Sequence, residues 1–119
     1  MDKVPCEVHV LDLWCKEHQI ERIDFIKIDV EGNEKYVLEG AGHVLAEYKP
    51  MVYCELLRKH ARRFGYHPND VIGYMKNMGY DCVVINNGSV IRIDAVDDTT
   101  KETNFFFLHR KRHVKILES

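Results

Sequence analysis

The sequence predicts an α/β fold whose sheet is parallel at its core, and three observations lead to this prediction. Apolar segments typical of strands alternate with segments whose apolar residues recur every three or four positions, as in helices. Strands that follow one another through helices are joined by right-handed crossovers and lie parallel. No internal repeat and no Gly/Ser/Pro-rich linker divides the 119 residues, so we expect a single three-layer domain.

The first half of the chain alternates between helix and strand. The predicted elements are a helix at 10–18, a strand at 23–30, a helix at 33–48 and a strand at 51–57. Leu11 and Trp14 share the apolar face of the first helix. In the second helix, Gly40 and Gly42 lower the helix propensity and imply a close packing contact, and Pro50 ends it.

The second half contains one helix and a series of strands. Segment 58–66 is polar and predicts a loop or a helical turn, and the helix at 68–78 ends at Gly79, which suits a C-cap. Segment 86–88, NNG, separates two apolar segments and indicates a hairpin. The predicted strands are at 81–86, 89–93 and 104–110. The basic tail, 109–119, is expected to be solvated.

Composition and charge exclude several classes of function. The net charge of −2 gives no electrostatic footprint for nucleic acid and no attraction to a membrane surface. No apolar run is long enough to span a bilayer, and the opening MDKVPCEVHV lacks the apolar core of a signal peptide. The four cysteines form no CxxC pair, which argues against a zinc site, so we expect reduced thiols in a cytoplasmic protein.

Segment 23–32, IDFIKIDVEG, carries charged groups that a strand filling a core does not need. In an open α/β sheet, ligands bind in the crevice beyond the carboxyl ends of the strands. We therefore expect Asp29, Glu31 and Gly32, which end this strand, to face such a crevice. Glu55 lies near the same end of the next predicted strand.

A purely structural role for these groups is the open alternative. Lys27 and Asp29 are neighbours on one face of the strand and could form only a local ion pair. Glu31 and Glu34 could serve only to match the positive end of the following helix. The pattern alone does not separate the two interpretations.

Four segments together resemble the C-terminal half of FkbM-type S-adenosylmethionine-dependent methyltransferases. They are IDFIKIDVEGNEKYVLEGA, YKPMVYCEL, the Gly-Tyr pair at 79–80 and TNFFFL. The resemblance runs from about Val8 to Lys111, and IKIDVEG is its most specific block; Asn33 departs from the alanine that the family often has. It implies a class I methyltransferase fold, with a Rossmann-like sheet in the order 3-2-1-4-5-7-6. It also implies methylation of hydroxyl oxygens of sugars, polyketide products and related small molecules.

The resemblance assigns the predicted strands to one half of that sheet. Segment 23–30 resembles strand 4, segment 51–57 strand 5, the ribbon at 81–93 strand 6, and segment 104–110 the reversed strand 7, in the order 4-5-7-6. Strands 1 to 3 have no counterpart here. Neither has the glycine-rich turn that cradles the cofactor, nor the acidic residue that binds its ribose. We therefore expect residues 1–119 to be a single partial domain that lacks the N-terminal cofactor-binding strands.

The resemblance also implies roles for individual residues in O-methylation. The candidate catalytic residues are Asp29, Glu31, Glu55 and His60. Asp29 would accept the substrate hydroxyl or help to hold S-adenosylmethionine, Glu31 would act as base or orienter, and Glu55 would complete the carboxylate cluster. His60 is a further candidate base, and Asp29 with Gly32 are the candidate cofactor-binding residues. Three carboxylates would also suit Mg²⁺, although we expect no metal.

A different class of function is a non-catalytic interaction module. A half-sheet leaves segment 23–30 as an unpaired edge, which recruits partner strands. We therefore expect a homo-oligomer with Ile23–Val30 at or near its centre, unless residues 1–22 cover that edge or a missing N-terminal half pairs with it. A receiver-like regulator is disfavoured because the strand count is wrong. The other expected partner is a small-molecule hydroxyl acceptor, with no nucleic acid and no membrane.

Overall fold

The computed structural model describes residues 19, 22–28, 34–97 and 99–117, and these residues form a mixed α/β arrangement around one five-stranded sheet. The strands are β1 (Phe25–Ile28), β2 (Met51–Glu55), β3 (Tyr80–Asn86), β4 (Ser89–Ile93) and β5 (Asn104–His109). The helices are α1 (Glu34–Glu39), α2 (Gly42–Glu47), α3 (Arg58–Arg63), α4 (Pro68–Asn77) and α5 (Val114–Leu117). The helix predicted at 10–18 lies outside the described residues.

The strands lie in the order β1-β2-β5-β3-β4. β1 and β2 are parallel, and β5 runs antiparallel between β2 and β3. Phe106 of β5 faces Tyr53 of β2 on one side and Val83 of β3 on the other. The prediction that the last strand lies antiparallel to β2 and beside it is confirmed. β1 forms one edge of the described sheet.

One face of the sheet carries the larger apolar core. Its strand side chains include Val52, Cys54, Phe105 and Phe107, all buried. Helices α1 to α4 pack on this face through Leu38, Leu45, Ala61, Val71, Ile72 and Met75. Since side chains alternate along a strand, the intervening residues point to the opposite face.

That opposite face, which we call the open face, is covered within the described residues by α5. Leu117 of α5 packs with Val83 and Leu108, and its carbonyl accepts a hydrogen bond from Arg92 at 3.2 Å. In the described part of the chain, the expected third layer therefore consists of one short helix.

The prediction of one continuous helix over 33–48 is wrong. The structure has α1 and α2, which separate at Ala41 with backbone angles φ −114° and ψ 19°. The Ala41 N–H donates to the carbonyl of Leu38, three residues back, at 3.0 Å. The glycines on either side lower the helix propensity enough for the helix to break here. At Gly42 the expected close packing is also missing, because an added Cβ would lie an ordinary 3.5 Å from the Tyr74 hydroxyl.

The predicted helix at 68–78 and its C-cap glycine are confirmed in α4, and the structure adds a capping box at its start. In segment 58–66, predicted as a loop or a helical turn, Arg58–Arg63 form the short helix α3. The His67 ring accepts a hydrogen bond from the Asn69 N–H at 3.0 Å, and the Asp70 carboxylate accepts one from the His67 N–H at 2.9 Å, which closes a capping box. Gly79, with φ +94°, follows the helix as its C-cap prediction requires.

The predicted hairpin at 86–88 is also present. β3 and β4 pair antiparallel as far as Asn86 beside Ser89. Asn87 and Gly88 have φ values of 52° and 79°, so both turn residues are in the left-handed region. Two-residue hairpins favour this geometry because its twist matches that of the strands.

Arg110 and Arg112 of the basic tail are exposed, as predicted, and both also form hydrogen bonds with the rest of the fold. Arg110 donates to the Asp81 carboxylate at 3.0 Å. Arg112 donates to the carbonyl of Tyr48 and to the carboxylate of Asp24, so it joins the turn after β5 to the entrance of β1. A guanidinium has five N–H donors, so it satisfies several protein acceptors here while part of it stays exposed to water.

The described cysteines behave as small apolar side chains. Cys54 and Cys82 are free and buried. Burial raises the pKa of Cys82 to about 12 and that of Cys54 well above its ordinary value. Both thiols are therefore protonated at neutral pH, whereas Cys6 and Cys15 lie outside the described residues.

His109 is packed tightly at the end of β5. An added Cβ on Gly79 would lie 2.8 Å from His109 Nε2, so a larger residue does not fit there. The His109 ring packs edge-on against Tyr80, with 5.1 Å between ring centroids. The His109 N–H donates to His113 Nδ1 at 2.8 Å, which couples the two histidines.

We expect the protein to lose stability as the pH falls below 6.5. Burial, followed by the charge of Lys49, lowers the pKa of His109 below 6.5, and burial followed by Arg112 lowers that of His113. Below pH 6.5 the unfolded chain takes up protons that the folded chain does not. The free energy of unfolding should therefore be highest above pH 6.5 and should fall as the pH drops below that value.

Denaturant unfolding between about pH 7.5 and about pH 5.5 measures this dependence. Replacing His109 by Gln should flatten it, while His43→Gln, on the exposed side of α2, is the matched control. The pKa values of Asp24 and Asp97 are also lowered, but these carboxyl groups titrate below pH 3.8. They therefore do not affect the stability difference between about pH 7.5 and about pH 5.5. Equal stability at both pH values would contradict the prediction.

Candidate active site

Glu55 lies where the parallel strands β1 and β2 have their carboxyl ends. It is partly buried and faces Asn104, the first residue of β5. The Leu56 N–H donates to the Thr103 carbonyl at 2.9 Å, which holds the chain after β2 against the segment before β5. The structure thus places Glu55 at the expected end of the sheet, and its catalytic role stays a prediction.

The other predicted site residues are not brought together by the described structure. Asp29, Glu31 and Gly32 lie outside the described residues. β1 extends to Ile28, the residue before Asp29, and Ile28 pairs with Cys54, the residue before Glu55. His60 lies in α3, the helix that begins shortly after β2. The gathering of these residues around Glu55 stays a prediction.

A trough of about 460 Å³ runs along the open face beside β1. It is lined by Phe25, Lys27, Tyr53, Ile85, Asn104 and Phe106. The rings of Tyr53 and Phe106 lie on its central strands, with 4.8 Å between their centroids. Lys27 is exposed and forms no ion pair with a described residue, so its predicted pair with Asp29 stays a prediction.

A second cleft, of about 300 Å³, opens beside the end of β2 on the helix-covered side. Leu56 and Phe105 form part of its apolar wall. Arg62, Glu102 and Thr103 add charged and polar groups. This lining combines apolar surface with hydrogen-bonding groups, as small-molecule pockets do.

The segment between β4 and β5, which borders this cleft, is held by two side chains. The Asn69 amide donates to the Val96 carbonyl at 3.1 Å and accepts from the Val96 N–H at 2.7 Å. The Asp97 carboxylate accepts hydrogen bonds from the hydroxyl and the N–H of Thr99, which lower the pKa of Asp97. The wall of the cleft is therefore fixed by polar contacts before any ligand binds.

Glu34 is a buried carboxylate near the same end of the sheet. From the sequence, we predicted only that its charge would match the positive end of a helix. It begins α1 and is 2 % exposed, and the Tyr66 hydroxyl donates to its Oε1 at 3.3 Å. Burial, followed by the charge of Glu34, raises the pKa of Tyr66 well above its ordinary value, so the hydroxyl stays a donor. No local pattern signals this contact, because the partners are 32 positions apart.

Within the described ranges, no group of three or more His, Cys, Asp or Glu side chains is placed to hold a metal ion. None of the described helices has the length and apolar character needed to cross a membrane. Among the residues that the structure places, Glu55 is thus a single carboxylate beside an amide, and its chemistry is that of a proton acceptor or hydrogen-bond acceptor.

Comparison with known proteins gives one match. The family model described as the methyltransferase FkbM domain matches residues 1–82. This range contains the IKIDVEG block and extends through β2 into β3. No curated protein and no solved structure matches the chain.

Removing the Tyr66 hydroxyl should destabilise the fold, since it leaves the buried Glu34 carboxylate with one donor fewer. We expect Tyr66→Phe to lower the free energy of unfolding by about 1–3 kcal/mol. Tyr36→Phe is the matched control, because its hydroxyl donates to the Phe64 carbonyl at an exposed position. Denaturant unfolding compares the two variants, and an equal loss in both would contradict a special role for the buried bond.

Proposed function

The chain belongs to the methyltransferase FkbM domain family, and from this premise we propose that it takes part in transferring a methyl group from S-adenosylmethionine to a hydroxyl oxygen of a small molecule or sugar. The observation that carries the proposal is the family match over residues 1–82, which includes IKIDVEG and Glu55. We take residues 1–119 to be one part of a larger methyltransferase domain.

We further propose that β1, β2, β5 and β3 correspond to strands 4, 5, 7 and 6 of the class I methyltransferase sheet. The antiparallel β5 between β2 and β3 supports this correspondence, because the reversed strand 7 of that sheet lies between strands 5 and 6. β1, at the edge of the described sheet, would then be the strand that pairs with strand 1 in a complete domain.

The described residues do not form a complete site for S-adenosylmethionine, which supplies the methyl group when bound. Gly40 and Gly42 are close-spaced, but they lie at the junction of α1 and α2 and not in a turn after a strand. We propose Asp29 and Gly32 as cofactor contacts, and we place the remaining contacts on an N-terminal half that carries strands 1 to 3.

The acceptor would bind at the carboxyl ends of β1 and β2. We propose that Glu55 accepts the proton of the acceptor hydroxyl, with Asp29, Glu31 and His60 as further candidates for positioning or proton transfer. Asn104, which pairs with Glu55 and lines the trough on the same face of the sheet, would contact the acceptor beside it. Positioning dominates such a reaction, since methyl transfer requires the oxygen to approach the methyl group in line. The family match does not favour the alternative of a non-catalytic module.

The chain of residues 1–119 on its own should bind S-adenosylmethionine weakly. Each missing charge-assisted contact costs about 1.5–3 kcal/mol, and losing several moves a micromolar ligand beyond about 1 mM. Calorimetric titration measures this directly. A dissociation constant below about 10 µM would contradict the prediction and would mean that a second subunit rebuilds the site.

Methyl transfer should appear when a separately produced N-terminal half of an FkbM-family domain is added to this chain. The assay follows labelled methyl groups into a panel of sugars and other hydroxyl compounds. Glu55→Gln should then lower kcat about 100-fold or more, because a carboxamide cannot accept the proton. Glu47→Gln, at the exposed end of α2, is the matched control. Transfer that is unaffected by Glu55→Gln, or its absence for every acceptor, would contradict the proposal.

A further inference from the structure

The turn between β5 and α5, residues 109–113, is closed by two histidine rings, and we call it the histidine turn. The His109 N–H donates to Nδ1 of His113 at 2.8 Å, and the Lys111 N–H donates to Nδ1 of His109 at 3.1 Å. A ring nitrogen of histidine accepts a hydrogen bond only when it carries no proton. Both bonds therefore require neutral rings that carry their proton on Nε2.

The histidine turn also carries the side chain that holds the start of β1. Arg112 donates to the Ile23 carbonyl at 3.2 Å and to the Asp24 carboxylate. It donates as well to the carbonyl of Tyr48, at the end of α2. The Asp24 carbonyl accepts a hydrogen bond from the Met51 N–H at 2.9 Å, where β2 begins. The start of β1 is thus attached to the histidine turn on one side and to β2 on the other.

We propose that the histidine turn is a pH-sensitive switch, which opens when its two rings take up protons and then releases Arg112 from the start of β1. Protonation changes Nδ1 of each ring from an acceptor into a donor, so the N–H groups that point at the rings lose their partners. Both bonds end on side chains and lie outside the strand ladders, so the turn can open while the sheet stays paired. The switch does not depend on the proposed methyl transfer.

The surroundings of the two rings favour their neutral form. His109 is 6 % exposed, and from β3 the Tyr80 ring packs edge-on against it. Burial is the main cause that lowers the pKa of His109, and burial followed by the charge of Arg112 lowers that of His113. The charges that further lower the pKa of His109 are all positive and come from Lys49, His113, Arg110 and Lys111. Acid therefore favours an open turn, in which the rings are more exposed to water.

Two carboxylates reach the histidine turn from neighbouring elements, and both bind arginines. Asp24, before β1, binds Arg112, and Asp81 of β3 binds Arg110 at 3.0 Å. The pKa of Asp24 is lowered by its hydrogen bonds to Arg22 and Arg112, so this carboxylate stays charged where histidines titrate. Its contact with Arg112 is therefore lost through the movement of the turn and not through its own protonation.

Amide hydrogen exchange of residues 1–119, followed by nuclear magnetic resonance at about pH 7.5 and about pH 5.5, tests the switch. After correction for intrinsic exchange rates, the Lys111 and Met51 amides should lose protection about threefold or more at the lower pH, relative to amides at the centre of β3. Arg112→Gln should lower the protection of Met51 at both pH values, because the shorter amide cannot bridge the same acceptors. The Lys111 amide should keep its pH dependence in that variant.

His113→Asn separates the switch from a purely structural role. The asparagine oxygen lies near the position of Nδ1 and accepts a hydrogen bond at any pH, so the His109 amide should stay protected at about pH 5.5. His43→Asn, on the exposed side of α2, is the matched control and should leave the pH dependence unchanged. Ring nitrogen signals of the unsubstituted chain need no variant, and they should show both rings protonated on Nε2 at about pH 7.5.

Three results would overturn the proposal. One is a ring of His109 or His113 that is protonated on Nδ1 at about pH 7.5. Another is a loss of protection at the centre of β3 equal to that of Lys111 and Met51, which would mean global unfolding. The third is a His109 amide whose protection depends on pH as strongly in His113→Asn as in the unsubstituted chain.

Discussion

The structure depends on the insertion of β5, the last strand, between β2 and β3. Without it the described strands form two separate pairs, a parallel one from β1 and β2 and the hairpin of β3 and β4. β5 joins them through antiparallel pairing on both sides, and it contributes Phe105 and Phe107 to the core. Such long-range pairing is costly in chain entropy, so the buried aromatic side chains and the ladder hydrogen bonds must offset it. Arg112 then fixes the chain after β5 against Asp24 and Tyr48.

Both candidate surfaces follow from this insertion. At the carboxyl end of β2, β5 brings Asn104 beside Glu55, and the segment before β5 borders the cleft on the helix-covered side of the sheet. On the open face, β5 brings Phe106 beside Tyr53 and thereby places an aromatic pair on the central strands of the trough. α5 can cover part of this face only because β5 ends beside it. The position of one strand therefore determines both the surroundings of Glu55 and the aromatic centre of the trough.

The sequence predicted the features that local patterns control. Alternating apolar residues identified the strands, the NNG segment identified the hairpin, and a proline and a glycine marked the ends of α4. The break between α1 and α2 escaped prediction because an apolar face that continues through Gly40 and Gly42 favours one helix, whereas tertiary packing tolerates two. The roles of Arg110 and Arg112 escaped it as well, because their partners are far away in the chain and a basic run is usually solvated. The same applies to Glu34, whose burial depends on Tyr66.

Of the predicted site, the position of Glu55 follows from strand order, while the roles of Asp29, Glu31, Gly32 and His60 stay predictions.

The neighbours of β5 can be measured directly in solution by nuclear magnetic resonance. Nuclear Overhauser contacts between backbone protons report which strands are neighbours, since facing Cα atoms of an antiparallel pair lie about 4.5–5.5 Å apart. We expect contacts of Phe106 with Tyr53 on one side and with Val83 on the other, and of Asn104 with Glu55. Contacts of β5 with β1, or with β3 alone, would contradict this expectation, because Glu55 would then lack its neighbour and the trough would lose its central aromatic pair.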